Sequence, residues 1–153
     1  MTPLESIQEI NEQKKEYLRS YRAAVKREER ILEDIQELRA SKAFPAAISY
    51  DGMPKGSNQS DLSDYIAILD RMIENLKSER LEKVKRREQI EKSIKDIQDD
   101  NEREVLRLRY IDGKKWEEIC IEMGYSWQWI HKIHSRALKN LKVAIESDYT
   151  SMV

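Results

Sequence analysis

From Leu4 to about Ala40 the apolar positions Ile7, Ile10, Tyr17, Tyr21, Ala24, Ile31, Ile35 and Leu38 recur at intervals of three and four, or their sums. That spacing lays them along one face of a helix in a heptad-like seam, which Lys14 and Glu28 interrupt. The pattern returns from Asp61 to Gln98 with Leu62, Ile66, Leu69, Ile73, Leu76, Ile90, Ile94 and Ile97. Here Arg80, Lys83 and Arg87 break the seam, and Leu81 and Val84 are expected to fill part of the gap. Each stretch predicts a helix about 55 Å long at 1.5 Å per residue. Their similar lengths and single connector predict a long antiparallel helical hairpin, coiled-coil-like. Two helices alone bury little, so a second chain is expected to complete the bundle over Ile66, Leu69, Ile73, Ile90 and Ile94.

The connector, residues 41–60, holds Pro45, Gly52, Pro54 and Gly56, with Tyr50, Asp51 and Gly52 as a turn signal. Phe44, Ile48, Tyr50 and Met53 are apolar enough to pack onto the hairpin tip or a partner. Ser60 or Asp61 is the expected cap of the second long helix.

After residue 98 the period shortens into three helical patterns. Asn101 to about Ile111 keeps Val105, Leu106, Leu108 and Tyr110, and Asn101 with Glu104 reads as a capping box. Lys115 to Met123 places Trp116, Ile119, Cys120 and Met123 at helical spacing. Gly124 suits the left-handed end of that helix, and Ser126 the N-cap of the next. The last helix would bury Ile130, Ile133, Ala137, Leu138 and Leu141. Two short helices joined by a glycine-containing turn form a helix-turn-helix, whose second helix enters the major groove of DNA. The expected fold is therefore all-α, with a hairpin over 1–98 for oligomerisation and a DNA-binding domain over 99–153.

Composition fits long solvated helices: 37% of the 153 residues are charged and only 7% aromatic. A net charge of −1 gives no overall attraction to DNA, so basic character must be local. The last helix supplies it. Lys132, Arg136, Lys139 and Lys142 stand in a run without an acid between Ser126 and Ala144. Expected DNA contacts are Ser126, Trp127, Gln128, His131, Lys132, Ser135, Arg136 and Lys139. Gln128 can read an adenine edge bidentately, a tryptophan can meet a thymine methyl, and the later cations meet phosphates. Trp129 is expected to pack on the preceding helix, and His131 and His134 to sit on the polar face near phosphate. The basic runs Lys26–Arg30 and Lys83–Arg87 read as solvated faces with neighbouring ion pairs.

The segment from Glu102 to Leu141 resembles region four of bacterial sigma factors. It is also similar to phage late-gene transcription activators of the RinA and ArpU type. The likeness runs through Arg103, Glu104, Val105, Leu106, Leu108, Arg109 and Tyr110, then Gly113, Glu118, Ile119, Gly124, Ser126, Ile130, Ile133, Ala137, Leu138 and Leu141. The preceding residues also resemble phage and prophage proteins that share the run from Ser49 to Pro54. Two departures stand out. Sigma region four usually has Thr or Ser where this chain has Lys115, so Asp112 would have to cap from farther out. It also usually places Arg-Glu-Arg where this chain has Trp127, Gln128 and Trp129, so a target other than the sigma promoter element is expected.

The resemblance implies a sequence-specific transcription regulator, an activator of phage late genes, acting on double-stranded DNA as a homo-oligomer, most simply a dimer. Two alternatives stay open: a DNA-packaging component like a small terminase subunit, and a sigma-like factor that docks on RNA polymerase. No enzyme, cofactor or metal site is expected. Asp99 and Asp100 read as helix capping, and Cys120, His131 and His134 match no zinc-finger spacing. The single cysteine fits a reducing cytoplasm, which the resemblance to phage proteins implies is that of a bacterial host cell. No apolar run is long enough to span a bilayer.

Overall fold

The computed structural model describes residues 2–41 and 56–143, with the side chains of 56–60 left aside. Every element among the described residues is helical: α1 (Pro3–Ala40), α2 (Gly56–Lys95), α3 (Asp100–Leu106), a π-helical turn (Arg107–Ile111), α4 (Trp116–Met123) and α5 (Trp127–Asn140). α2 begins four residues before the expected cap at Ser60, since no proline or turn dipeptide separates Gly56 from Asp61. The remainder of the connector, with Phe44, Ile48, Tyr50 and Met53, lies outside the described residues. So does the run from Ser49 to Pro54.

The chain divides into two compact units, residues 24–83 and residues 1–23 with 84–153. In the first, the two helical arms meet over Ala24, Ile35, Tyr65 and Leu76, all buried. Glu28, which breaks the α1 seam, receives two of the three cations that break the α2 seam: Arg80 at 3.1 Å and Lys83 at 2.5 Å. The hydrogen bond from Lys83 holds the Glu28 carboxyl below the usual carboxylate range. Arg27 and Glu79 add a more exposed pair at 3.0 Å. These interruptions are therefore complementary charges placed opposite one another. Leu81 and Val84 do not fill the gap as expected; each is 57% exposed, because the ion pairs occupy the inner face. Ile66 is 48% exposed, and Leu69 and Ile73 are half-buried.

The second unit joins residues 1–23 and 84–98 to the three short helices. Leu18, Tyr21, Ile90, Ile94 and Ile97 are buried here. Arg87, the third cation in the α2 seam, lies over the Tyr21 ring, 5.8 Å from its centroid. Ile90 and Ile94 are fully buried within one chain. The expectation that they need a second chain is thus corrected: the same unit supplies their cover. Leu18 takes a fully buried place that the periodicity gave to its neighbour Tyr17, which is half-buried. Leu4, Ile7 and Ile10 remain exposed.

Candidate nucleic-acid interface

Local sequence sets each helix end of the module. Asp99 caps α3, as its reading as a capping residue expected, and Asn101 does not: the Asp99 carboxylate accepts from the Glu102 N–H at 2.9 Å, and its backbone is extended. Asp99 stands three residues before Glu102, which starts the helix two positions earlier than the Asn101 and Glu104 pattern suggested. Arg103 ties this start to the link that follows α2, donating to the carbonyls of Ile97 and Gln98. The helix then widens into a π turn, with Asp112 N–H reaching the Arg107 carbonyl at 2.9 Å. The extra residue lets Leu108, Tyr110 and Ile111 all turn inward.

Lys115 occupies the N-cap of α4, and its ammonium has no acceptor to offer the helix. The Glu118 carboxylate instead accepts from the Lys115 backbone N–H at 3.4 Å, the return half of a capping box. Asp112 is not the substitute cap, since it lies at the end of the π turn. Gly124 ends α4 at φ 71°, and the Ser126 hydroxyl accepts from Trp129 N–H at 3.2 Å to start α5. Both match the sequence expectation.

Val105, Leu108, Ile119, Ile130 and Ile133 make the core of the module, with Trp116, Cys120 and Met123 packed against it. Ala137, Leu138 and Leu141 complete the buried face of α5. Residues of α1 close the other side. The Lys14 ammonium donates to the Leu138 carbonyl at 2.7 Å, satisfying an acceptor in the last turn of α5. Burial lowers the pKa of that lysine. The Arg22 guanidinium lies against Gly113, which has φ 70°. Lys14 thus interrupts the apolar seam because it serves a helix end. Glu102, also buried, accepts from the Asn140 side-chain amide at 2.9 and 3.2 Å and ties α3 to the end of α5.

His134 is not a polar-face residue. It is buried, 7% exposed, with Nε2 2.8 Å from the Tyr110 hydroxyl. Burial pushes its pKa down to about 4 and that of the Tyr110 phenol up to about 12. Helical spacing explains the place: His134 lies one and four positions from buried Ile133 and Ile130, and its hydrogen bond allows an imidazole there. His131 is half-buried. Its ring sits between Trp116 and Trp127, with centroids 4.8 and 4.5 Å away, and its Nε2 is buried without a hydrogen-bond partner among the described residues.

The opposite side of α5 is exposed. Ser126, Trp127, Gln128, Trp129, Lys132, Ser135, Arg136 and Lys139 all face solvent. Seven of the eight expected contact residues therefore share one accessible surface, and His131 lies at its edge. Trp129, expected to pack on the preceding helix, is 40% exposed on this surface, with the Arg136 guanidinium 5.5 Å from its ring centroid. No carboxylate interrupts α5. The acids of the module sit elsewhere, with Glu117 and Glu118 in the first turn of α4 and Glu122 paired to Lys114. A basic, acid-free helix presented by two others suits contact with phosphate oxygens, while its first turns are free to reach base edges. Among the described residues no helix is long and apolar enough to cross a membrane.

Sequence reasoning missed the roles of Lys14 and Arg22, which reach the module from α1, and of Arg103, which donates to the Ile97 and Gln98 carbonyls from within α3. Only the interruption of the seam at Lys14 could have signalled the first. No curated protein and no solved structure matches the chain. Residues 99–143 match the family model Sigma-70, region 4, so this helix-turn-helix is similar to sigma region four, a likeness that supports DNA binding.

Proposed function

We propose that this protein is a sequence-specific regulator of transcription that reads double-stranded DNA with α5, and that it activates phage late genes. The observation that carries the reading is the exposed, acid-free face of α5 on a module that matches Sigma-70, region 4. In this reading Lys132, Arg136 and Lys139 meet phosphates, Gln128 meets an adenine edge, and Ser126 and Ser135 donate hydroxyls at the groove wall. Trp127, Gln128 and Trp129 stand where sigma factors carry charged readers, which fits a different target. Self-association, most simply as a dimer, would place two recognition helices on half-sites one helical turn apart. The exposed Leu4, Ile7, Ile10 and Ile66 offer apolar surface for it. Late-gene activation rests on the resemblance to the phage activators. RNA polymerase would then be the second partner, bacterial cytoplasm the place of action, and no cofactor or catalysis is involved.

Selection of sites by the full chain from a random duplex library tests the proposal. A single enriched motif is the expected result. Gln128→Ala should cost roughly 1–3 kcal/mol on that motif, with little change on scrambled DNA. Lys139→Ala should weaken both equally and flatten the salt dependence by about one unit of slope. Recovery of no motif, or equal loss on both DNAs from Gln128→Ala, would overturn the reading.

A further inference from the structure

Five rings form an unbroken column through the module. Tyr110 and His134 stack at 5.8 Å, and Trp116 meets His134 edge-on at 4.8 Å. Trp116 meets His131 at 4.8 Å, and His131 meets Trp127 at 4.5 Å. Arg109 covers another part of Trp116, 4.8 Å from its centroid, while donating to the Lys114 carbonyl at 3.0 Å. The column begins in the buried core and ends on an indole that is 50% exposed, in the first turn of α5. An aromatic cluster that served packing alone would bury its last member. This one leaves a large apolar ring in water at the position from which recognition helices reach base edges.

We infer that Trp127 reads the 5-methyl group of one thymine in the major groove, and that His131 is a positioning residue that fixes the indole for that contact. The inference rests on the proposal that α5 enters the groove. Chemistry favours this pairing over a hydrogen-bonded one. The thymine methyl is the one apolar group that the base edges display in the major groove, and an indole face is its apolar complement. His131 is ill placed to touch DNA itself, since Trp116 and Trp127 flank its ring and its Nε2 is buried. What it can do is hold Trp127 in one rotamer, so that binding freezes little further side-chain motion. Among the described residues the ring of Trp129 meets Arg136 of its own helix and no second ring.

The test uses the full chain and its selected site, with each thymine replaced in turn by deoxyuridine, which removes only the methyl group. Wild type should bind about fourfold more weakly at one position, the loss expected for one methyl-sized apolar contact. Trp127→Ala should bind the thymine and uracil sites alike. His131→Ala should lose the discrimination while keeping its salt dependence. His131→Phe, which keeps a ring in the column, should retain it and so separates positioning from misfolding. If wild type prefers its selected site yet tolerates every uracil, the methyl contact is wrong while the DNA-binding reading stands. If His131→Phe keeps the fold but flattens the salt dependence by about one unit, His131 contacts phosphate and the positioning role is wrong. A protein that selects no site at all overturns both.

Discussion

Gly113 offers a direct test of whether α1 forms part of the DNA-binding unit. A Cβ built there would meet Arg22 of α1 at 2.7 Å from Nε, 2.8 Å from Cζ and 2.9 Å from Nη2, and the backbone holds φ at 70°. Gly124 is the internal control, with φ 71° and nothing within 4 Å of the added carbon. Gly124→Ala thus suffers only left-handed strain, about 1–2 kcal/mol. Gly113→Ala suffers the same strain and must also move the guanidinium, for a further 0.5–1 kcal/mol or so, the lower range of coupling between residues in contact. Urea unfolding followed by circular dichroism measures both, with the slope expected to stay constant. In an Arg22→Ala background the extra cost should vanish, and Gly113→Ala should match Gly124→Ala. Equal cost of Gly113→Ala with and without Arg22 would show that α1 does not rest on this turn, and the assignment of residues 1–23 to the module would fall.

Stability should depend on pH through His134, whose pKa falls from 6.5 to about 4 on folding because burial disfavours its cation. The unfolded chain then binds the proton more readily, so the contribution is complete above about pH 6.5 and is lost as pH falls toward 4, by roughly 3 kcal/mol at most. His134→Leu should flatten the wild-type decline between those limits in parallel unfolding titrations; identical slopes would refute the account. Lys14→Met keeps the apolar stem but removes the donor to the Leu138 carbonyl. It should destabilise the module by about 1 kcal/mol and speed amide exchange in the last turn of α5, with unchanged exchange there as the contrary result.

The sequence showed much of the module because local rules governed it. Val105, Leu108, Ile119, Ile130 and Ile133 follow helical period, while Gly124 and Ser126 obey backbone and capping chemistry that needs no distant partner. The failures arose where a distant residue decided the outcome. His134 reads as a surface histidine until Tyr110 is placed beside it. Lys14, Glu28, Arg80, Lys83 and Arg87 read as defects in two seams. They become partners only when the seams face each other or, for Lys14, when α5 ends beside it. Asn101 lost the cap of α3 to Asp99, a choice between two adequate capping residues that local chemistry alone does not rank. The exposed face of α5 was legible apart from Trp129, expected to pack on the preceding helix, and His131, whose place is set by two tryptophans, one of them on another helix.

The bond from Lys14 to the Leu138 carbonyl joins residues 124 positions apart. That separation bears on time as well as on stability. Helices α3 to α5 lie within one short stretch and can assemble rapidly, but the clasp must wait for a long loop to close, with the entropy that closure removes. Folding should therefore proceed in two stages, with a core forming early and its final turn secured late. Dissolution should begin in the reverse order, by release of α1 from α5, so native-state hydrogen exchange should find the end of α5 opening before its first turns.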